Sequence, residues 1–130
     1  MNKLLVIGAT GLLGKATIKY FKTKKNWVCA GLSRRPHEIR NVEYLHGDLL
    51  DKGSIDRLHS RLRDVTHVLY AALYEMDDLL IGWRHSEQIK TNTLMFQNLI
   101  NALSLYSPKL RHLSILQGTK AYGIHVEPMK

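Results

Sequence analysis

A chain of 130 residues can bury one core but not two, so a single domain over 1–130 is expected, and no apolar run nears the roughly 18 residues of a membrane span. The net charge of +8 is spread along the chain, its densest clusters being KTKK at 22–25, SRR at 33–35 and RLRD at 61–64, which argues against a nucleic-acid partner. Seven scattered histidines show no paired ligand spacing, so no metal is expected; one cysteine, Cys29 in the apolar run WVCAGL, implies a buried thiol in a reducing cytoplasm, and with no charged-then-apolar stretch no secretion signal is expected.

The first element is the run KLLVIG, a strand near 3–8 whose unbroken apolar character suits a central parallel position. It runs into GATGLLGKAT at 8–17, which admits two phosphate-loop readings. A triphosphate loop uses Gly14 and Lys15 but requires a glycine where Ala9 stands and a metal-binding hydroxyl where Ala16 stands. Thr17 is one place late, and one residue turns a helical side chain by about 100°. A dinucleotide loop uses Gly8, Gly11 and Gly14 as GxxGxxG between a strand and a helix, with the helix N-terminus aimed at a pyrophosphate. The helix is expected over about 12–24, with Leu13, Ala16, Thr17, Tyr20 and Phe21 as its core stripe.

A second strand at 27–33 ends in Ser33, Arg34 and Arg35. In dinucleotide folds this position faces the adenosine ribose, where an acid binds the 2′-hydroxyl of NAD and a base accepts the 2′-phosphate of NADP. Two arginines and a serine are donors for a phosphate dianion, so NADP(H) is the expected cofactor. A third strand at 42–46 leads to Asp48, which either accepts a hydrogen bond from the adenine amino group or opens a helix cap. The next helix, 52–62, has Asp51 or Ser54 as cap and Ile55, Leu58 and Leu62 on one face. A strand at 66–72 follows, then an irregular stretch, 74–86, expected as a loop or a short extra helix. The long helix at 86–106 has Met95, Leu99, Ala102, Leu103 and Tyr106 as its core stripe and stops at Ser107-Pro108 before a strand at 110–116. Strands alternating with helices give an α/β class: a Rossmann-type doubly wound parallel sheet of about five strands, order 3-2-1-4-5, in truncated form.

Gly8 to Gly14, Ser33-Arg34-Arg35-Pro36, Gly47-Asp48-Leu49 and DVTHVLYAAL at 64–73 together resemble the N-terminal half of an extended or atypical short-chain dehydrogenase/reductase. DVTHVLYAAL, the segment Glu87 to Asn92 and LRHLSILQGTKAYG at 110–123 are similar to the branch containing progesterone 5β-reductase and iridoid synthase. The resemblance implies a cofactor surface extending to Thr10, Leu12, Leu13, Leu49, Ala71, Ala72 and Gln117, and reduction of an enone carbon–carbon double bond with NADPH. It assigns Lys120 as the family's catalytic lysine. The family's tyrosine lies in a later segment without a counterpart before Lys130, so the chain is expected to be incomplete for catalysis unless a C-terminal part adds the tyrosine and the small-molecule substrate pocket. Tyr20 to Lys24 is the chain's one Tyr-xxx-Lys and falls on the first helix, a coincidental match, whereas Tyr122 either lines a substrate pocket or is structural. Two alternatives stand beside this reading: a non-catalytic NADP-binding or interaction module, and a nucleotide-sugar epimerase/dehydratase-like enzyme. A sheet ending at its fifth strand leaves uncovered surface, so self-association through the long helix, or poor solubility, is expected.

Overall fold

A computed structural model of the chain describes residues 1–35, 40–82 and 84–118, with only the backbone at 79 and 80. Its elements in chain order are β1 (Asn2–Ile7), α1 (Leu12–Phe21), β2 (Trp27–Ser33), β3 (Glu43–His46), α2 (Lys52–Asp56), α3 (His59–Leu62), β4 (His67–Tyr70), α4 (Leu79–Gly82), α5 (Ser86–Tyr106) and β5 (His112–Ile115). The five strands form one parallel sheet in the order β3-β2-β1-β4-β5. That is the arrangement expected for a doubly wound sheet, in which the chain crosses from one side of β1 to the other between β3 and β4.

Two apolar layers follow from the period-2 alternation of the central strand. Leu5 and Ile7 point to a core shared with Leu32, Val68, Ile55, Leu62, Leu99, Ala102 and Leu103, beneath α2, α3 and α5. Leu4 and Val6 point to the other face, where they meet Ile18 of α1, Cys29 and the flanking Phe21 and Trp27. Residues such as Leu5, Ile7, Ile18 and Leu99 are at most 1% exposed, and each contributes about 1.5–3 kcal/mol through its burial. Cys29 is buried and free, and burial raises its thiol pKa above the usual value.

Three expected features need correction. The buried positions of α1 are Gly14 and Ile18, with Phe21 half-buried, while Leu13 and Tyr20 are each 57% exposed and Ala16 is also exposed. The helix is therefore rotated from the expected stripe, because Gly14 is pressed against the Gly8 turn and carries no weight in a hydrophobic pattern. It also ends at Phe21 rather than near 24: Thr23 and Lys24 donate to the carbonyls of Tyr20 and Phe21, a three-residue tightening that turns the chain towards β2. The single helix expected over 52–62 is two short helices. The N–H groups of Leu58 and Arg61 donate three residues back, to Ile55 and Leu58, so the joint is of 3₁₀ type and lets Ile55 and Leu62 both reach the core.

Other local expectations hold. Asp51 caps α2, accepting the Ser54 N–H at 3.2 Å. The irregular stretch contains the short α4, and α5 has the expected bounds with Leu99, Ala102 and Leu103 buried. Its far end is held by side chains: Asn98 Nδ2 donates to Leu49 O at 2.8 Å and Ser107 Oγ donates to Leu62 O at 3.0 Å. Among the described residues no helix is long and apolar enough to cross a membrane.

Candidate functional site

The carboxyl ends of β1 and β4 are the point where strand order reverses, and the chain folds there into a crevice. Gly8 leaves β1 with φ of +80°, and a Cβ on it would lie 2.8 Å from Ala71 C and O and from Ala72 N. Only glycine meets both demands. The Gly8 and Ala9 N–H groups donate to Leu32 O at 3.1 and 3.2 Å, and Gly11 N–H donates back to Gly8 O at 3.0 Å, closing the turn. Gly11 is the N-cap of α1 and has no side-chain cap, so the first N–H groups of the helix face the crevice mouth unshielded by a side chain. A Cβ at Gly14 would stand 2.3 Å from Gly8 O, which shows how closely the helix start packs on the turn.

The crevice has a volume of about 270 Å³. On the β2–β3 side it is lined by Leu32, Ser33, Arg34, Gly47, Asp48, Leu49 and Leu50, on the floor by Ile7, Gly8, Thr10 and Gly11, and on the β4 side by Ala71 to Tyr74 and Met95. Ser33 is buried, and its hydroxyl donates to Arg35 O at 2.5 Å, shaping the bend that carries both arginines. Arg34 and Arg35 are exposed, and Arg34 alone of the two lines the crevice. Asp48 is half-buried; its Oδ1 accepts the Leu50 N–H at 2.9 Å and its own N–H donates to Ser54 Oγ at 2.8 Å. The carboxylate thus stabilises the turn ahead of α2, whose cap is Asp51.

The structure brings Gly8, Thr10, Gly11, Ser33, Arg34, Asp48, Leu49, Ala71 and Ala72 to one crevice. It does not bring Leu12, Leu13, Gly14, Arg35 or Gln117 to the wall. Leu12 and Leu13 are 87% and 57% exposed, Gly14 is buried beneath the turn, and Gln117 is exposed beyond β5. Lys120 and Tyr122 lie outside the described residues. Tyr74 and Met95 are lining residues that sequence reasoning did not single out for the site. Met95 belongs to the expected core stripe of the long helix, and it is half-buried against that core while also lining the crevice. Tyr74 sits in a segment without periodicity and offered no signal.

A dinucleotide phosphate fits this arrangement on two grounds. A Cβ at Gly11 would meet only Gly8 O, at 3.3 Å, so the open side of the turn admits an anion close to the backbone. The guanidinium of Arg34 stands on the same crevice, at the position next to the adenosine ribose in such folds. Among the described residues no group of three or more His, Cys, Asp or Glu is placed to hold a metal ion.

Comparison with known proteins agrees with this fold. The sequence model of the NAD dependent epimerase/dehydratase family matches residues 4–128. The chain is 30% identical over 135 residues to (S)-8-oxocitronellyl enol synthase of Catharanthus roseus, covering 97% of this chain and 32% of that protein. It is 30% identical over 126 residues to 3-oxo-Delta(4,5)-steroid 5-beta-reductase of Arabidopsis thaliana, covering 91% and 31%. The chain thus spans about a third of the length of these relatives. Among solved structures, a short chain dehydrogenase family protein from Francisella tularensis superposes with a TM-score of 0.74 at 16% identity, over 97% of this chain and 55% of the other. Gre2 from Candida albicans in complex with NADPH superposes with a TM-score of 0.68 at 17% identity, over 88% and 36%. At these identities the solved structures show the shared fold.

Proposed function

The chain belongs to the NAD dependent epimerase/dehydratase family, and from that premise we propose that it is the NADPH-binding portion of a reductase acting on a carbon–carbon double bond conjugated to a carbonyl. The observation that carries the cofactor choice is that Arg34 and the glycine turn at the start of α1 line one crevice at the switch point of the sheet. The turn accepts the pyrophosphate on backbone N–H groups, and Arg34, with Arg35 beside it, supplies the positive charge that a 2′-phosphate requires and a bare ribose does not. When bound, the nicotinamide supplies hydride. The name of the Arabidopsis relative describes reduction at a double bond next to a 3-oxo group, and an enol, after protonation, is what hydride delivery to the far carbon of a conjugated carbonyl leaves behind.

Hydride arrival there builds negative charge on the carbonyl oxygen, which needs a hydrogen-bond or proton donor. By resemblance Lys120 belongs to that donor arrangement together with a tyrosine from a later segment. Catalysis therefore requires both, and turnover of an enone by residues 1–130 at the rate of a relative three times as long refutes that requirement. A reducing cytoplasm, where Cys29 remains a thiol, is the compartment proposed for it.

Fluorescence titration with NADPH and NADH tests the cofactor reading. NADPH is expected to bind at least about tenfold tighter, and replacing Arg34 and Arg35 together by Ala is expected to erase the difference. Equal affinities in the unaltered chain, or a preference that survives the double substitution, would refute it.

A further inference from the structure

We propose that the solvent face of α1, with the turn that follows it, is a docking surface for an anionic membrane. The inference does not depend on the crevice and rests on where the fold places its charge.

The basic residues are spread along the chain, but the excess charge is not. Residues 1–37 contain eight Lys and Arg and no Asp or Glu, whereas 38–130 contain eleven of each, so the whole +8 belongs to the first 37 residues. Of those eight, Lys3 is paired with Glu43 at 3.0 Å, and Arg34 and Arg35 follow the end of β2. The other five are Lys15, Lys19, Lys22, Lys24 and Lys25, on α1 and the turn into β2, and all five are exposed. Lys52, Arg57, Arg61 and Lys109 each form an ion pair, but none of the five does so among the described residues. Lys24 instead stands over the Tyr20 ring, 4.2 Å from its centre.

The stability of α1 does not call for this arrangement. Lys15 and Lys19, and Lys19 and Lys22, are neighbours on the helix surface and repel one another. The helix dipole favours cations in the last turn, which accounts for Lys19 and Lys22. It disfavours Lys15, which stands near the start of the helix with no acidic residue in the first turn to offset it. A row of unpaired lysines is, however, what attracts a negatively charged partner.

A second stripe identifies that partner. Leu13, Ala16 and Tyr20 recur at helical spacing beside the lysines and are exposed, Leu13 and Tyr20 each by 57%. The headgroup layer of an anionic bilayer takes cations and apolar side chains on one plane and needs no groove, which suits a convex helix. A nucleic acid would use the lysines but not Leu13, and the five cations include no arginine for bidentate phosphate contacts. No described helix can cross a membrane, and contact at its surface requires none. The crevice opens at the N-terminal end of the same helix, so docking on this face leaves its mouth beside the headgroups.

The test is co-sedimentation of the whole chain with vesicles of phosphatidylcholine alone or with about a third phosphatidylserine. Each lysine near an anionic surface strengthens binding about fivefold, so the phosphatidylserine vesicles should be favoured by at least about a hundredfold at low salt. That preference should shrink by about tenfold or more in about 0.5 M NaCl, where screening acts within about 4 Å. Lys19→Ala with Lys22→Ala should weaken binding by about twentyfold. Arg84→Ala with Lys90→Ala removes the same charge from outside the face and should change it by less than about twofold. Tyr20→Ser, which leaves the charge intact, should weaken it by about threefold. If the alanine pair alters the circular dichroism spectrum, Lys19→Gln with Lys22→Gln gives the same comparison with longer side chains. Equal binding to both kinds of vesicle, equal losses from the two double substitutions, or no loss from Tyr20→Ser overturns the proposal. Binding to a DNA duplex of arbitrary sequence by a chain that ignores both vesicles would overturn it too, and would assign the face to nucleic acid.

Discussion

Gly14→Ala sets two physical effects of opposite sign against each other at one atom. Within a helix, alanine is favoured over glycine by about 0.5–1 kcal/mol because the unfolded chain has less freedom to lose. At Gly14 the added Cβ would lie 2.3 Å from Gly8 O, 2.9 Å from Ala9 Cα and 3.0 Å from Gly8 C. Against a comfortable separation of about 3.5 Å the worst overlap is about 1 Å, and all three atoms are backbone, so no side chain can swing aside. Overpacking of this kind costs about 1–3 kcal/mol, and after the propensity gain a net loss of about 1–2 kcal/mol is expected. In a chain of this size that lowers Tm by about 3–5 °C per kcal/mol. Gly53→Ala in α2 is the control, since its Cβ would meet only the side-chain ends Asp51 Oδ1 at 3.3 Å and Arg57 Nη1 at 3.7 Å, and it should gain up to about 0.5 kcal/mol. Urea unfolding followed by circular dichroism measures both variants. If Gly14→Ala is as stable as the unaltered chain, or if it and Gly53→Ala shift alike, the close approach of α1 to the Gly8 turn is not what holds the loop.

His67 packs 4.7 Å from the Trp27 ring and 6.2 Å from His112, and burial first, then the positive charge of His112 and Arg111, lowers its pKa. The unfolded chain then binds the proton more readily, so stability should fall as pH drops from about 7 to about 6, and His67→Gln should reduce that slope; a flat profile in the unaltered chain would contradict this. Burial alone would raise the Glu43 pKa, but the hydrogen bonds and charges of Lys3, at 3.0 Å, and of Arg61 hold it below the usual value. Its contribution should be present at neutral pH and be lost as pH falls below about 4.5, a loss absent in Glu43→Gln. Tyr70 has a buried hydroxyl with no hydrogen-bond partner among the described residues and packs edge-on to Phe96 at 5.1 Å. Tyr70→Phe should therefore stabilise by about 1 kcal/mol in urea unfolding, and destabilisation would show that the hydroxyl has a partner. We propose self-association through α5, where Leu94 and Leu105 are 46% and 67% exposed on one flank about three turns apart. Sedimentation velocity should show assembly that Leu105→Lys weakens, and a monomer at every concentration would count against it.

The parts of the fold that were legible are those in which one local signal is sufficient. The run at Leu4 to Ile7 reads as a strand buried on both faces because it has no polar position, and both of its faces are indeed covered. The stripe Leu99, Ala102, Leu103 on α5 reads correctly because large apolar residues mark it. On α1 the same method fails, because the contact that orients the helix is made by the residue with no side chain. The split between α2 and α3 was equally hidden, since Ile55, Leu58 and Leu62 fit one helical face whether or not the turn between them tightens.

Glycine spacing, the order of strand and helix patterns and the Ser33-Arg34-Arg35 cluster determine by themselves a parallel sheet with a glycine turn after its first strand and a basic cluster at the end of its second. Each is a local property: a backbone conformation, a period or a charge placed at the end of a strand. Which of those residues share a wall is a different matter. Arg34 reaches the crevice while Arg35 does not, the exposed Leu12 and Leu13 do not line it, and Tyr74, which does, pairs with Asn92, eighteen residues later in the chain. Only the tertiary structure decides this, because it depends on how α1 settles onto the Gly8 turn and how α5 grips the segment after β4. Both are long-range contacts, made by a glycine and by amides that carry no periodic signal.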